Sequence, residues 1–283
     1  MECPPVITSL EVRRQEAHID VLCLVNSEFA VLIEDKVGSI QHSDQLARYK
    51  NYVVEMLGIA PGKLVPLYVQ TGDQCSFAEV LKHGFHIIER SDILDVLESV
   101  EGDLAAKESD ILSSYRHHLR IIEDDVRSFL STPLDSWSWN AWKGFYTEIR
   151  KTLGEGEWDY VPNPNGGFLG YWWYFKSDLD AEVYLQMEQT NFCFKITPYE
   201  GVNRQDTRLR WHNRIMESCA RNGVNALRPR RFGSGVYMTV ALLNRHYRQT
   251  DSNGLLDMKG TIQVLLKAQQ VVDDAINAGG VET

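Results

Sequence analysis

Two apolar runs near the N-terminus decide the fold: AHIDVLCLV (17–25) and FAVLIEDKV (29–37). Both are rich in β-branched and aliphatic residues, and only Asn26-Ser27-Glu28 separates them, so they read as a β-hairpin with a short loop. A loop at 26–28 sets Asp20 opposite Glu34 and His18 opposite Lys36. Side chains alternate along a strand, so Glu34 and Lys36 share a face with Asp20 while Asp35 points the other way. Directly opposed residues have Cβ atoms about 5 Å apart, which puts two carboxylates and one ammonium on one small surface. Two carboxylates that close repel unless they share a cation, and oxygen-only donors suit Mg²⁺ or Mn²⁺ rather than zinc. The competing reading is a charged solvent face on an edge hairpin. Against it, Val21, Leu22, Leu24, Leu32 and Ile33 are apolar on both faces, as in a central, covered pair of strands.

Working outward, SDQLARYKNYVVEML (43–57) places Leu46, Tyr49, Val53, Met56 and Leu57 at helical spacing, with Ser43 or Asp44 as N-cap. Gln45 and Tyr49 stand four apart on one face of that helix. KLVPLYVQTG (63–72) and GFHIIE (84–89) read as strands, and SDILDVLESV (91–100) as a helix, so strand and helix alternate as in an α/β layer. From about Leu104 to Leu130 the pattern is helical, with Ile111, Tyr115, Leu119, Ile122 and Val126 on one stripe, and Pro133 breaks it. A helix over 140–153 follows, then the Gly/Pro/Asn-rich stretch 154–170, read as a boundary or long exposed loop. Strands at 171–175, 181–188 and 191–199 suggest a small antiparallel sheet, closed by helices at about 205–222 and 257–277.

At this point the chain resembles the PD-(D/E)xK nuclease superfamily, in the branch with an Asp-bearing strand, an apolar strand ending IExK, and a helix with QLxRY. The corresponding residues here are HIDVL, VLIEDKV and DQLARY. The resemblance covers roughly residues 8–100. It implies a restriction-endonuclease-like mixed sheet flanked by helices, an α/β (α+β) class, over residues 1–103; the pattern along the rest of the chain adds a helical connector at 104–153 and a C-terminal α+β region at 154–283. It also implies Mg²⁺-dependent (or Mn²⁺-dependent) phosphodiester hydrolysis, usually of DNA with RNA not excluded, in the setting of restriction or anti-phage defence. Carried over by position, Asp20 and Glu34 would ligate the metal and the Asp35 carbonyl would complete the set. Lys36 would orient or deprotonate the attacking water, and Gln45 and Tyr49 would position water or phosphate. Many members carry a further Glu on a preceding helix. Here only Glu11 or Glu16 could substitute, and Glu16 lies some 13 Å along the strand from Asp20. The alternative is a catalytically silent module of the same fold that binds nucleic acid or a partner protein.

The composition constrains partners. The chain has 283 residues and a formal net charge of −10. That balance argues against charge-driven attachment to nucleic acid or to an anionic membrane through the whole surface. The charge is uneven: residues 1–110 hold 19 acidic and 9 basic side chains, whereas 195–248 hold 3 and 11. Arg208, Arg210, Arg228, Arg230 and Arg231, with Trp211 and His212 interleaved, are the candidate DNA contacts, since arginine forks match phosphate and aromatics stack on unpaired bases. A charge run can equally be a solvated face. Trp137, Trp139, Trp142, Trp158, Trp172 and Trp173 read as core. PNPNGGFLG is followed by neither a helix nor Gly-Lys-Ser/Thr, which leaves a nucleotide loop unsupported. Five scattered cysteines without a CxxC pair, no signal-peptide pattern and no run of 18 apolar residues point to a reduced, cytoplasmic protein without zinc or membrane span, as a possible homo-oligomer or subunit of a defence complex.

Overall fold

The computed structural model describes residues 4, 6–38, 44–99, 110–163, 166–178 and 180–279. The class is mixed α/β: one mixed five-stranded sheet, one antiparallel six-stranded sheet and a two-stranded pair, with seven α-helices among the described residues. None of those helices is long and apolar enough to cross a membrane. The chain forms two compact units, 1–124 and 125–283, so residues 125–153 of the expected connector lie in the second.

Unit 1 is built on the sheet β1 (Leu10–Glu16), β2 (Ile19–Val25), β3 (Phe29–Lys36), β4 (Leu64–Gln70) and β5 (His86–Glu89), in that spatial order. The β2–β3 hairpin has the expected register, Val21 opposite Ile33 through Val25 opposite Phe29. Asn26 and Ser27 take positive φ in its turn. His18 does not join the ladder: it sits at φ 68° in the β1–β2 turn, and so is not paired with Lys36. β3 and β4 are parallel, as are β4 and β5.

Alternation sorts the two faces of this sheet. Leu22, Ala30, Leu32, Leu64 and Tyr68 pack with Leu46, Tyr49 and Val53 in a fully buried core. On the other face Val21, Cys23, Val31 and Ile33 remain partly exposed, so the hairpin is closely covered on one side only. The covering helix is α1 (Gln45–Asn51), which runs on into a π-helical turn, Tyr52–Met56. Ser43 lies outside the described residues. Asp44 occupies the N-cap position without a capping bond, its carboxylate lying 3.4 Å from Arg48 Nε instead. A short α2 (Ala78–Lys82), α3 (Arg90–Ser99) and α4 (Asp110–Arg127) complete the unit. On α4 the expected stripe is uneven: Leu119 is buried, Ile111 and Tyr115 are exposed.

Unit 2 opens with α5 (Trp139–Leu153), capped by Ser138 Oγ, which accepts from the Ala141 amide. The stretch expected as a loop or boundary instead carries a strand, β6 (Glu157–Val161). With β7 (Phe168–Ser177), β8 (Ala181–Met187), β9 (Phe192–Pro198), β10 (Ala226–Leu227) and β11 (Met238–Leu243) it forms the sheet β10-β11-β9-β8-β7-β6. Gly166 and Gly167 supply the positive φ that the turn into β7 requires. Helix α6 (Arg204–Arg221) packs on β9 and β11, and α7 (Met258–Gly279) packs on α6 and β8, next to the small pair β12 (Gln249–Thr250) and β13 (Leu256–Asp257). Of the tryptophans, Trp142, Trp158 and Trp173 are core as expected, while Trp139 is exposed and Trp137 and Trp172 are half-buried.

Candidate functional site

The Asp20–Glu34–Lys36 constellation forms at the carboxyl end of β3, where open α/β sheets present their binding groups. Glu34 and Lys36 are two apart on β3 and project to the core face beside α1. Lys36 Nζ lies 2.6 Å from Glu34 Oε1, and Gln45 Nε2 donates to the same oxygen at 2.8 Å. Gln45 Nε2 is also 2.8 Å from the Tyr49 hydroxyl oxygen, so the first turn of α1 is tied to the sheet through the expected Gln-Tyr pair. Asp20 continues the β2–β3 register toward Glu34. Its Oδ2 accepts from the Asp35 amide at 2.9 Å and its Oδ1 from Gln15 Nε2 at 3.0 Å.

Glu34 is 1 % exposed, and its Oε2 is buried with no hydrogen-bond donor among the described residues. A desolvated carboxylate oxygen without a donor is costly. Burial pushes the Glu34 carboxyl above its ordinary value; the Lys36 ammonium opposes that rise and the Asp20 charge adds to it. Asp35 points away from this group, and its side chain reaches solvent. Desolvation and then the Asp20 charge raise its carboxyl, with Lys36 opposing. On that opposite face the Asp35 charge adds to the effect of burial in raising the Tyr115 hydroxyl on α4.

Neither Glu11 nor Glu16 stands in for a preceding glutamate. Both carboxylates accept from Arg13, and Glu16 also accepts from the Tyr52 hydroxyl at 2.6 Å. The N-terminal element is a charged edge strand, and the residue it sends to Asp20 is Gln15. Among the described residues no three His, Cys, Asp or Glu side chains cluster as metal donors. The oxygen donors that side chains bring to this strand end are the Asp20 and Glu34 carboxylates. Mg²⁺ commonly keeps several of its waters, so a small protein set of this kind fits it, and the orphaned Glu34 Oε2 is the atom such a cation would satisfy.

A second layer was not legible as function in the sequence. Gln70 is the parallel neighbour of Lys36, is 2 % exposed, and donates from Nε2 to the Val37 carbonyl at 3.0 Å. The Thr71 amide donates to the Lys36 carbonyl at 3.0 Å. A Cβ on Gly72 would collide with the Val37 carbonyl, so only glycine lets the chain pass that close. Arg90 anchors this bend by donating to the Thr71 carbonyl at 2.7 Å while pairing with Asp73 and Glu123. The signal available was Gln-Thr-Gly directly after an apolar strand.

In unit 2 the arginine group splits. Arg208 is buried: its guanidinium donates to the carbonyls of Thr239, Gly233 and Arg231 and stacks on Phe232 at 4.2 Å, which closes it to phosphate. Arg210 is ion-paired with Asp180. Trp211 is fully buried and donates to Asp180, and His212 Nδ1 lies 2.8 Å from the Val240 carbonyl oxygen, so neither ring is free to stack on a base. Arg228, Arg230 and Arg231 are exposed on the loop before β11. Comparison with protein-family models, with curated proteins and with solved structures finds no match.

Proposed function

We propose that unit 1 is a metal-dependent phosphodiesterase acting on DNA. The observation that carries the reading is the convergence of Asp20, Glu34, Lys36, Gln45 and Tyr49 at one strand end, with Glu34 Oε2 buried and without a donor among the described residues. The resemblance to the PD-(D/E)xK superfamily supports it, and with it the setting of restriction or anti-phage defence in the cytoplasm. Asp20, Glu34 and the Asp35 carbonyl would hold Mg²⁺ or Mn²⁺. When bound, such an ion lowers the pKa of a water and neutralises charge on the phosphoryl oxygens. Lys36 supplies a fixed ammonium, held at Glu34, that can orient the attacking water and offset developing negative charge. Gln45 holds Glu34 in place through Oε1, and Tyr49 holds Gln45, so the helix fixes the carboxylate rather than reacting itself.

One observation favours a second reading, a silent module of the same fold that binds nucleic acid or a partner protein: Lys36 closes onto Glu34, and among the described residues no third His, Cys, Asp or Glu side chain joins Asp20 and Glu34 as a metal donor. Plasmid and linear DNA, and RNA in parallel, incubated with Mg²⁺ or Mn²⁺ and wild-type or Lys36→Ala protein, decide between them. Metal-dependent cleavage lost in Lys36→Ala is the expected result. No cleavage with any metal refutes the enzyme and leaves the silent module.

A further inference from the structure

The sheet of unit 2 has a second face that the phosphodiesterase reading leaves unused. One face, with Tyr171, Trp173, Val183, Leu185, Phe194 and Ile196, is completely buried. By the alternation of the ladder the other carries Trp172, Phe175, Tyr184, Cys193, Lys195 and Thr239. Phe175 is 46 % exposed and stacks on Tyr184, with ring centroids 5.0 Å apart and planes 14° from parallel. Lys195 is the direct cross-strand neighbour of Tyr184 and of Thr239, and its ammonium lies 6.0 Å from the Tyr184 ring centre. No carboxylate stands within ion-pair distance of it among the described residues. Burial, and then the Arg208 charge, hold its pKa below the ordinary lysine value, although Cys193 and Glu188 oppose this.

The loop before β11 walls this floor. A cavity of about 400 Å³ there is lined by Arg231, Gly235, Tyr237, Thr239, Cys193 and Glu188. The Glu188 carboxylate is already taken by Gln186, Asn191 and Cys193. Tyr237 is 70 % exposed, and Arg228, Arg230 and Arg231 on the same loop have no carboxylate partner among the described residues. Arg231 and Tyr237 line that cavity, Lys195 is the cross-strand neighbour of its Thr239, Arg228 and Arg230 lie exposed on the same loop, and Phe175 is exposed on the same sheet face.

We infer that this face binds an unpaired nucleic-acid strand, with bases stacked on Phe175 and Tyr237 and phosphates held by Lys195, Arg230 and Arg231. Aromatic rings beside a basic track suit a single strand, because a duplex keeps its base faces inside its own stack. Cations that continue beyond the cavity match a series of phosphates better than the one group of a free nucleotide. This deepens the reading above by naming what is held. It rests on that reading only for the fate of the strand, because binding can be measured with metal chelated.

The test is fluorescence anisotropy with the full chain in EDTA at several salt concentrations. The probes are a labelled oligothymidylate of about 15 nucleotides, the same strand in duplex, and ATP. The strand is expected to bind more tightly than the duplex, with ATP weak. Tyr237→Ala with Phe175→Leu should weaken strand binding about tenfold or more and leave its salt dependence intact. Arg230→Gln with Arg231→Gln should reduce the slope of log affinity against log salt by about 1.4. Equal affinity for strand and duplex, binding of ATP alone, no binding, or both variants behaving as wild type would overturn the inference. A chain that binds the strand yet cleaves nothing keeps this inference and sinks the enzyme. Cleavage without strand binding does the reverse.

Discussion

Replacing Arg90 with methionine tests what holds the bend behind the candidate site. The guanidinium is 5 % exposed and sits 3.0 Å from both Asp73 Oδ1 and Glu123 Oε2, while donating to the Thr71 carbonyl at 2.7 Å. The two carboxylate side chains are themselves only 16 % and 12 % exposed. Methionine keeps much of the length and removes the charge, so two nearly buried acids lose this guanidinium. Removing one partner of such a pair costs about 3–5 kcal/mol, and residual solvent at both acids places this case near 3 kcal/mol. With a urea m-value of about 2 kcal/mol/M, the midpoint of unit 1 should fall by about 1.5 M. Far-UV circular dichroism reads the change. Tryptophan fluorescence reports the second unit separately, because all seven tryptophans lie from Trp137 onward. Adding Asp73→Asn and Glu123→Gln to the methionine variant should restore part of the loss, since neutral amides carry no uncompensated charge. A midpoint shift below about 0.5 M, equivalent to about 1 kcal/mol, or a triple variant no better than the single one, would refute the electrostatic account.

Three further experiments probe other parts of the fold. Gly72→Ala forces a methyl group into the Val37 carbonyl and should destabilise unit 1 by about 2 kcal/mol in the same urea assay; an unchanged midpoint would show that the bend yields freely. Arg208→Leu strips three carbonyls of their donor and should cost unit 2 about 3 kcal/mol by fluorescence-detected unfolding, whereas Arg230→Leu should stay within about 0.5 kcal/mol; the reverse order would contradict the assignment of Arg208 to the scaffold. Burial raises the Cys193 thiol far above its usual range and the Cys219 thiol to about 12, so an aromatic disulfide reagent at pH 8 should leave both unlabelled until urea is added, and rapid native labelling of either would count against their burial.

The parts of the fold that sequence exposes are those where local pattern and tertiary environment agree. The β2–β3 register follows from strict alternation and a three-residue turn, both short-range properties, and it brings Asp20 and Glu34 together without knowledge of the rest. Gln45 and Tyr49 follow from helical spacing. LEVRRQE carries little strand signal in sequence because an edge strand open to water alternates weakly and is full of charge. Its recruitment of Gln15 rather than a glutamate to Asp20 depends on the turn at Ala17-His18, both at positive φ. The arginine stretch misled for a different reason. Arg208 and Arg231 look alike in sequence, and only the carbonyls of the loop before β11 determine that one is interior and the other free.

The edge strand β1 also bears on how copies of this chain meet. A β-strand with one unpaired side is a template for another strand, and Leu10 and Val12 would make this one adhesive. The remaining residues work against self-addition. In antiparallel pairing centred on the strand, Arg13 and Arg14 face each other or themselves, and where Arg13 meets Arg14, Glu11 meets Glu16. In parallel, in-register stacking every charge meets its own kind. Like charges placed directly opposite destabilise a ladder, so the strand that delivers Gln15 to Asp20 also resists growth into a fibril.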